Sequence, residues 1–520
     1  MRYCLLSVFS ALIIALHDIL AMPLAPPWDD IRVKHAWNSI PPNWETLGRP
    51  PAGTTIDLHI ALKPLHENAL IDALYEVSEP RSPKQVFSNA PRVSNDLRSL
   101  LLRCRYSAHL SREQVAQLVA PHPVTLELIY SWLEIHGVPS SSISTSLDGG
   151  WLTLTGVPVH QANKLLGASY QLYRPTGTND TTILRTIGYT LPAVLHPHVR
   201  TVVPTTFFVS PRTLSRTPPV PSIGATAEMA PIVTAISIRE DDHEEIVPST
   251  LRSMYRTGTY VPTEMNRNEL GIVGFLNQYP SRDDLKTFMT EYRDDAIDSD
   301  YRVLQVNGGG NDEGNPDPEP NLNMQYTQAI AYPTPHVFYS IGGKILINKE
   351  DNKPDTGDIW VEWLDFMIRA PKVPQTISIP YGSYERDVPL EYAKVVCDLF
   401  AVLGARGVTV IFPSGNHGVG KEEDCKLKDG SGRVQFIPEF PASCMCGDSH
   451  VNSTPGRSYR LHFAGPFVTT VGGTMGDDPE NAAVFSGGGF SNHFPRPSYQ
   501  ENEVLAFLLK HGSEHESYYK

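Results

Sequence analysis

The chain has little positive charge to offer. Lys and Arg number 43 against 57 Asp and Glu, a formal net charge of −14 over 520 residues. That acidic surplus argues against nucleic acid or an anionic membrane surface as the main partner. Long apolar runs are missing after residue 16, so no later segment reads as a membrane helix. Cysteine is sparse, at six. The one close pair, Cys444 and Cys446, lacks companions at the spacing a zinc site needs. Gly308-Gly309-Gly310 has no G-x-G-x-x-G spacing around it and reads as plain loop. Charged residues make up only 19% and apolar ones 41%, which excludes a disordered chain and leaves enough to bury a large core.

The N-terminus carries one early cation, Arg2, and then an apolar run over residues 4–16. The run is too short to span a bilayer comfortably. It predicts a secretory signal over residues 1–21, cut after Ala21, and hence a secreted, extracellular protein or a vacuolar one. Losing Cys4 with the signal leaves five cysteines, an odd number for an oxidising compartment. Asn179-Asp180-Thr181 is a glycosylation sequon, with Asn179 as the acceptor.

Residues 55–62 place Ile56, Leu58, Ile60 and Leu62 on one face of a strand. A helical period follows from Ala69 to Val77. Ser111 and Gln114 form a capping box, and another helix spans 124–136 before Gly137. A strand at 151–155, a helix at 158–167 and a strand at 169–173 complete a small α+β unit ending near 205. Pro-rich, patternless residues 206–240 read as a linker and processing region. Beyond it, strands are predicted at 271–276, 336–340, 376–379 and 408–412, and helices from Ser281 and at 319–331, 358–368 and 388–403. Strands alternating with helices predict an α/β fold, a parallel sheet with helices on both faces. Functional residues in such folds sit in the loops after the strands.

Three local motifs fall in such loops. One is Glu319-Pro320-Asn321-Leu322-Asn323-Met324-Gln325-Tyr326, in which Glu319 and Asn323 share a helix face. The second is Pro413-Ser414-Gly415-Asn416-His417-Gly418, directly after the strand at 408–412. The third is Phe485-Ser486-Gly487-Gly488-Gly489-Phe490-Ser491-Asn492-His493-Phe494. Each taken singly has a plainer reading. An acid in a first helical turn meets the helix dipole, and glycine runs make turns.

Taken in order, the three resemble the sedolisin family of serine-carboxyl peptidases, above all the fungal secreted tripeptidyl peptidases. Leu110-Ser111-Arg112-Glu113-Gln114, Gln278-Tyr279-Pro280-Ser281, Phe440-Pro441-Ala442-Ser443-Cys444 and Val468-Thr469-Thr470-Val471-Gly472-Gly473-Thr474 extend the likeness. The resemblance implies a subtilisin-like fold, an α+β activation propeptide over 22–205 and a peptidase domain over 241–520. It also implies a peptide or unfolded-protein substrate cut at acid pH, with no nucleic acid or membrane partner beyond the chain's own propeptide. Glu319 takes the place of the family's general base. Tyr381 and Gly382 fall on its substrate-binding edge, as does Gly415. A carboxylate base suits acid, where a histidine would be protonated.

The likeness also shows departures. The family's second catalytic carboxylate is Asn323 here, and its oxyanion Asp is Asn416. An Asn amide can still donate to an oxyanion. Asn323 can orient Glu319 but cannot share a proton with it, so the Glu319 pKa is expected to fall. No Gly-Thr-Ser follows Gly473-Thr474, so residues 1–520 contain no counterpart of the nucleophile. The family's calcium ligands also fall beyond Lys520, and no metal site is expected here. The expectation is therefore a C-terminally truncated and inactive peptidase domain. The alternative is a non-catalytic product, a propeptide-type protease inhibitor or chaperone or the remnant of a decaying gene. Residues 445–465 and 84–104 interrupt the likeness and read as retained introns.

Overall fold

A computed structural model describes residues 28–78, 107–146, 148–176, 182–208, 246–264, 267–342, 357–420, 425, 433–444, 467–476, 479–497 and 500–515. The signal, Asn179, residues 84–104, residues 445–465 and nearly all of the linker lie outside these.

The leading unit is α+β. Strands β1 (Ile31–Ala36) and β2 (Trp44–Gly48) precede β3 (Thr55–Leu62) and helix α1 (Ala69–Ser78). Helices α2 (Arg112–Val119) and α3 (Pro123–Ile135) lead to β4 (Ile143–Thr145) and β5 (Trp151–Pro158). Helix α4 (Val159–Leu166) is followed by β6 (Gln171–Pro175), β7 (Ile183–Arg185), β8 (Gly188–Pro192) and β9 (Val199–Val203). The main sheet runs β4-β5-β3-β9, antiparallel throughout. The alternation in β3 works as its pattern implies. Ile56, Leu58 and Ile60 are buried against Ile129, Trp132 and Leu133 of α3 and Ala162, Leu165 and Leu166 of α4. The capping box at α2 forms, with Ser111 Oγ accepting from Gln114 N and Ser111 N donating to Gln114 Oε1.

The second unit follows α5 (Pro248–Met254). Its strands are β10 (Leu270–Gly274), β11 (Tyr301–Val306), β12 (His336–Ile341), β13 (Thr376–Ser378), β14 (Ser383–Tyr384), β15 (Thr409–Pro413), β16 (Glu439–Phe440) and β17 (Thr469–Val471). Six form one parallel sheet in the order β11-β12-β10-β13-β15-β17. Its helices are α6 (Arg282–Tyr292), α7 (Pro318–Ala331), α8 (Ile359–Arg369), α9 (Leu390–Ala405) and α10 (Glu501–His515). Alternate strand residues feed two cores. Ile272 and Phe338 pack with Leu285, Met289 and Met324 from α6 and α7. Val273, Val337, Ile377 and Val410 pack with Trp360, Trp363, Phe400 and Leu403 from α8 and α9. Apolar residues on both faces are what a parallel sheet covered by helices requires.

Within the six-stranded sheet, β11 and β17 are additions to the expected set. In β11 only Tyr301 and Val306 are buried, and β17 is exposed along its length. Edge strands with polar faces give no apolar run to recognise. Helix α9 starts two residues later than expected, after Pro389, which holds the N-cap position.

The leading unit lands on α9. Leu70, Ala73, Leu74 and Val115 join the same core as Val395, Leu399 and Val402. The Phe207 and Tyr392 rings lie 4.5 Å apart. Leu110 N donates to Ala405 O at 2.8 Å, and Arg200 pairs with Asp398 at 2.5 Å. Arg185, only 2% exposed, donates to Phe207 O, Leu184 O and, across the boundary, Gly357 O at 2.7 Å. A disulfide joins Cys397 of α9 to Cys444 just past β16. Among the described residues no helix is long and apolar enough to cross a membrane.

Candidate active site

All six sheet strands run parallel, so their carboxyl ends share one edge. The loops after β10, β11, β13 and β15 gather there. Helix α7 begins in the loop after β11, and its first turn is docked by polar contacts to the loop after β10. Ser281 N donates to Asn321 Oδ1 at 2.8 Å, and Asp317 N donates to Tyr279 O at 2.9 Å. Asn321 Nδ2 reaches back to Asp284 of α6 at 2.6 Å.

Glu319 is half-buried in that first turn. Asn323 Nδ2 donates to Glu319 Oε1 at 3.0 Å and to the Glu319 carbonyl at 2.6 Å. The i,i+4 spacing therefore does bring the two side chains together. Burial pushes the Glu319 carboxyl above its ordinary value, and the hydrogen bond from Asn323 pulls it partly back. The expected fall is relative to a carboxylate pair sharing a proton; against an ordinary glutamate, desolvation leaves Glu319 raised. Asp317, two residues earlier, is raised by burial too, against a hydrogen bond from Tyr279 N.

Tyr381 follows β13 and is buried, 1% exposed. Its hydroxyl donates to Gln278 Oε1 at 3.0 Å. Burial raises its pKa, and the nearby charges of Glu319 and Asp317 add to that. Tyr381 thus connects the loop after β13 to the loop after β10, on which the first turn of α7 is docked. Gly382 is buried beside it, and the next residues form β14, which pairs antiparallel with β16.

The turn after β15 carries Gly415 and Asn416. Gly415 has φ +106°, a backbone region that disfavours a Cβ. The third motif braces this turn. Gly487 N donates to Gly415 O at 2.8 Å, Gly418 N donates to Phe485 O at 2.8 Å, and Ser414 N donates to Val471 O at 2.8 Å. A Cβ on Gly487 would overlap the Ser414 carbonyl, so the glycine run there permits backbone to touch backbone. Glu385, fully buried, holds the rest of the motif by accepting from Ser491 Oγ and, at 2.7 Å, from Asn492 N.

Glu319, Asn323, Tyr381, Gly382, Gly415 and Asn416 therefore share one edge of the sheet. Two residues there went unnoticed in the sequence. Glu439, opposite Tyr384 across the β14–β16 ladder, sends its carboxylate toward Gly382 and Gly415. His417, next to Asn416, lies with Nδ1 3.8 Å from Glu439 Oε1. An acid directly before the buried Phe440 was the available signal. Among the described residues no three His, Cys, Asp or Glu side chains converge as a metal site.

The activation domain of pro-kumamolisin matches residues 102–208, which includes α2 to β9 of the leading unit; α1, which also packs on α9, precedes it. Tripeptidyl-peptidase SED2 of Arthroderma otae is 30% identical over 92% of this chain and 74% of its own length. A probable tripeptidyl-peptidase SED2 of Trichophyton verrucosum is 30% identical over 90% of this chain and 72% of its own. Among solved structures, Pseudomonas sedolisin, a serine-carboxyl proteinase, aligns with TM-score 0.31 and 16% identity over 49% of this chain and 65% of its own. With nine-tenths of its length aligned to fungal tripeptidyl-peptidases and an activation domain leading it, the chain belongs to the sedolisin family of serine-carboxyl peptidases.

Proposed function

We propose that the chain derives from a secreted tripeptidyl peptidase that releases tripeptides from peptide N-termini at acid pH. In this reading Glu319 is the general base, Asn323 orients it and Asn416 donates an amide hydrogen bond to the oxyanion. The peptide lies along Tyr381–Gly382 and against Gly415. The observation that carries the reading is the Glu319–Asn323 pair at 3.0 Å, set at the same edge of the sheet as the loops that hold Gly382 and, one strand over, Gly415. A carboxylate raised by burial can accept a hydroxyl proton at acid pH. Residues 22–205 act as the propeptide.

A polypeptide of residues 1–520 alone is proposed to be silent. It holds no Ser in a Gly-Thr-Ser motif, so no acyl-enzyme forms. The purified 520-residue chain is expected to leave a tripeptidyl chromogenic substrate intact at acid pH. Turnover abolished by Glu319→Gln would overturn the silence and support the role of Glu319. Turnover indifferent to that change would overturn both. Sequencing cDNA across the codons for residues 445–465 tests the retained-intron reading, which fails if a spliced transcript still encodes them.

A further inference from the structure

Glu439 is an acidic group that the proposed chemistry does not use. It opens β16, and 11% of its side chain is exposed. A Cβ on Gly382 would stand 2.6 Å from its Oε2, and one on Gly415 would run into its Oε1. Glycine at both positions leaves the space that the carboxylate occupies. Among the described residues its one ionic neighbour is His417 Nδ1 at 3.8 Å, too long for a hydrogen bond. The carboxylate is thus enclosed by backbone and mostly desolvated, with no cation of the described residues in direct contact. A buried carboxylate in that condition is a strong attractor for an incoming cation.

Its place says which cation. Gly382 belongs to the edge proposed to hold the peptide. Gly415 belongs to the turn proposed to polarise the scissile carbonyl. The residue contributing that carbonyl has its Cα beside the turn, so its side chain enters the floor between turn and edge. That floor is where the Glu439 oxygens lie. We propose that Glu439 selects peptides with Lys or Arg as the residue directly before the bond addressed by Asn416, its carboxylate accepting from the ammonium or guanidinium. For a tripeptide-releasing site, that is the third residue of the peptide. This inference rests on the reading of 381–382 and 415–416 as the peptide cleft.

The test uses binding, because the chain is proposed to be silent. Hexapeptides identical except for Lys, Leu or Glu at the third position are titrated calorimetrically into the full 520-residue chain. The Lys peptide is expected to bind about ten-fold more tightly than the Leu peptide, and the Glu peptide most weakly. In Glu439→Gln the Lys preference disappears while the Leu peptide keeps its affinity. In Glu439→Lys the order inverts toward the Glu peptide, which a merely misfolded variant would not do. Equal affinity for the Lys and Leu peptides in the unaltered chain overturns the role of Glu439 and leaves the cleft standing. Failure of all three peptides to bind overturns the cleft, and this inference with it.

Discussion

Where the leading unit meets α9, side chain packs on side chain. Leu74 and Val115 enter a core with Leu399 and Val402, Phe207 faces Tyr392, and Arg185 spends its guanidinium on three carbonyls. At the carboxyl edge of the sheet the packing is backbone on backbone. Gly487 lies against the Ser414 carbonyl, and Gly382 and Gly415 leave room for the Glu439 carboxylate. The first region pairs its cations across the boundary, Arg200 with Asp398 and Arg185 with the Gly357 carbonyl. The second leaves two carboxylates, Glu319 and Glu439, in partly desolvated surroundings with weak or neutral partners. The contrast separates a surface built to hold from one built to receive.

Replacing Arg185 with Ala should have the largest effect on that contrast. It leaves three carbonyls without their donor at a buried position, and is expected to lower unfolding stability by about 3–5 kcal/mol. Urea denaturation at fixed pH measures it. A loss under about 1 kcal/mol would mean that apolar contacts alone hold the leading unit. Gly487→Ala should come next, at about 1–3 kcal/mol, because the new Cβ must displace the Ser414 carbonyl. Hydrogen exchange should quicken at residues 414–418 and stay unchanged in α1 and α9. Equal quickening in both places would erase the distinction between the two regions.

The smallest effect is a slope. A carboxyl whose folded pKa is raised contributes stability that is fully present below its unfolded value and is lost as pH rises through the folded one. The unaltered protein should therefore lose some stability as pH climbs through that window above the ordinary carboxyl range. Glu319→Gln, which cannot ionise, should lose less. Urea midpoints for both proteins between about pH 4 and pH 7 decide it. Parallel slopes would mean that Glu319 is as well solvated as an ordinary surface acid.

Much of this was legible in the residues. The alternation at Ile56–Leu58–Ile60, the Ser111–Gln114 box and the Ser281 cap are local signals, and each forms as its pattern implies. The Glu319–Asn323 pair was equally local, since helix geometry alone sets its spacing. What escaped reading was non-local. Strand β17 has no apolar face to betray it, because it is exposed throughout. The upward shift at Glu319 comes from the protein around it rather than from any neighbour in sequence. Glu439 becomes part of the site only when the β14–β16 ladder sets it beside Gly382.

The Cys397–Cys444 bridge ties these two regions to one another. Cys397 sits in the helix that receives the leading unit, and Cys444 ends the short segment that Glu439 begins. The six residues Glu439–Cys444 and one covalent link thus connect the helix that receives the leading unit to the Glu439 carboxylate. A displacement of α9 is delivered through that bridge to the Glu439 strand.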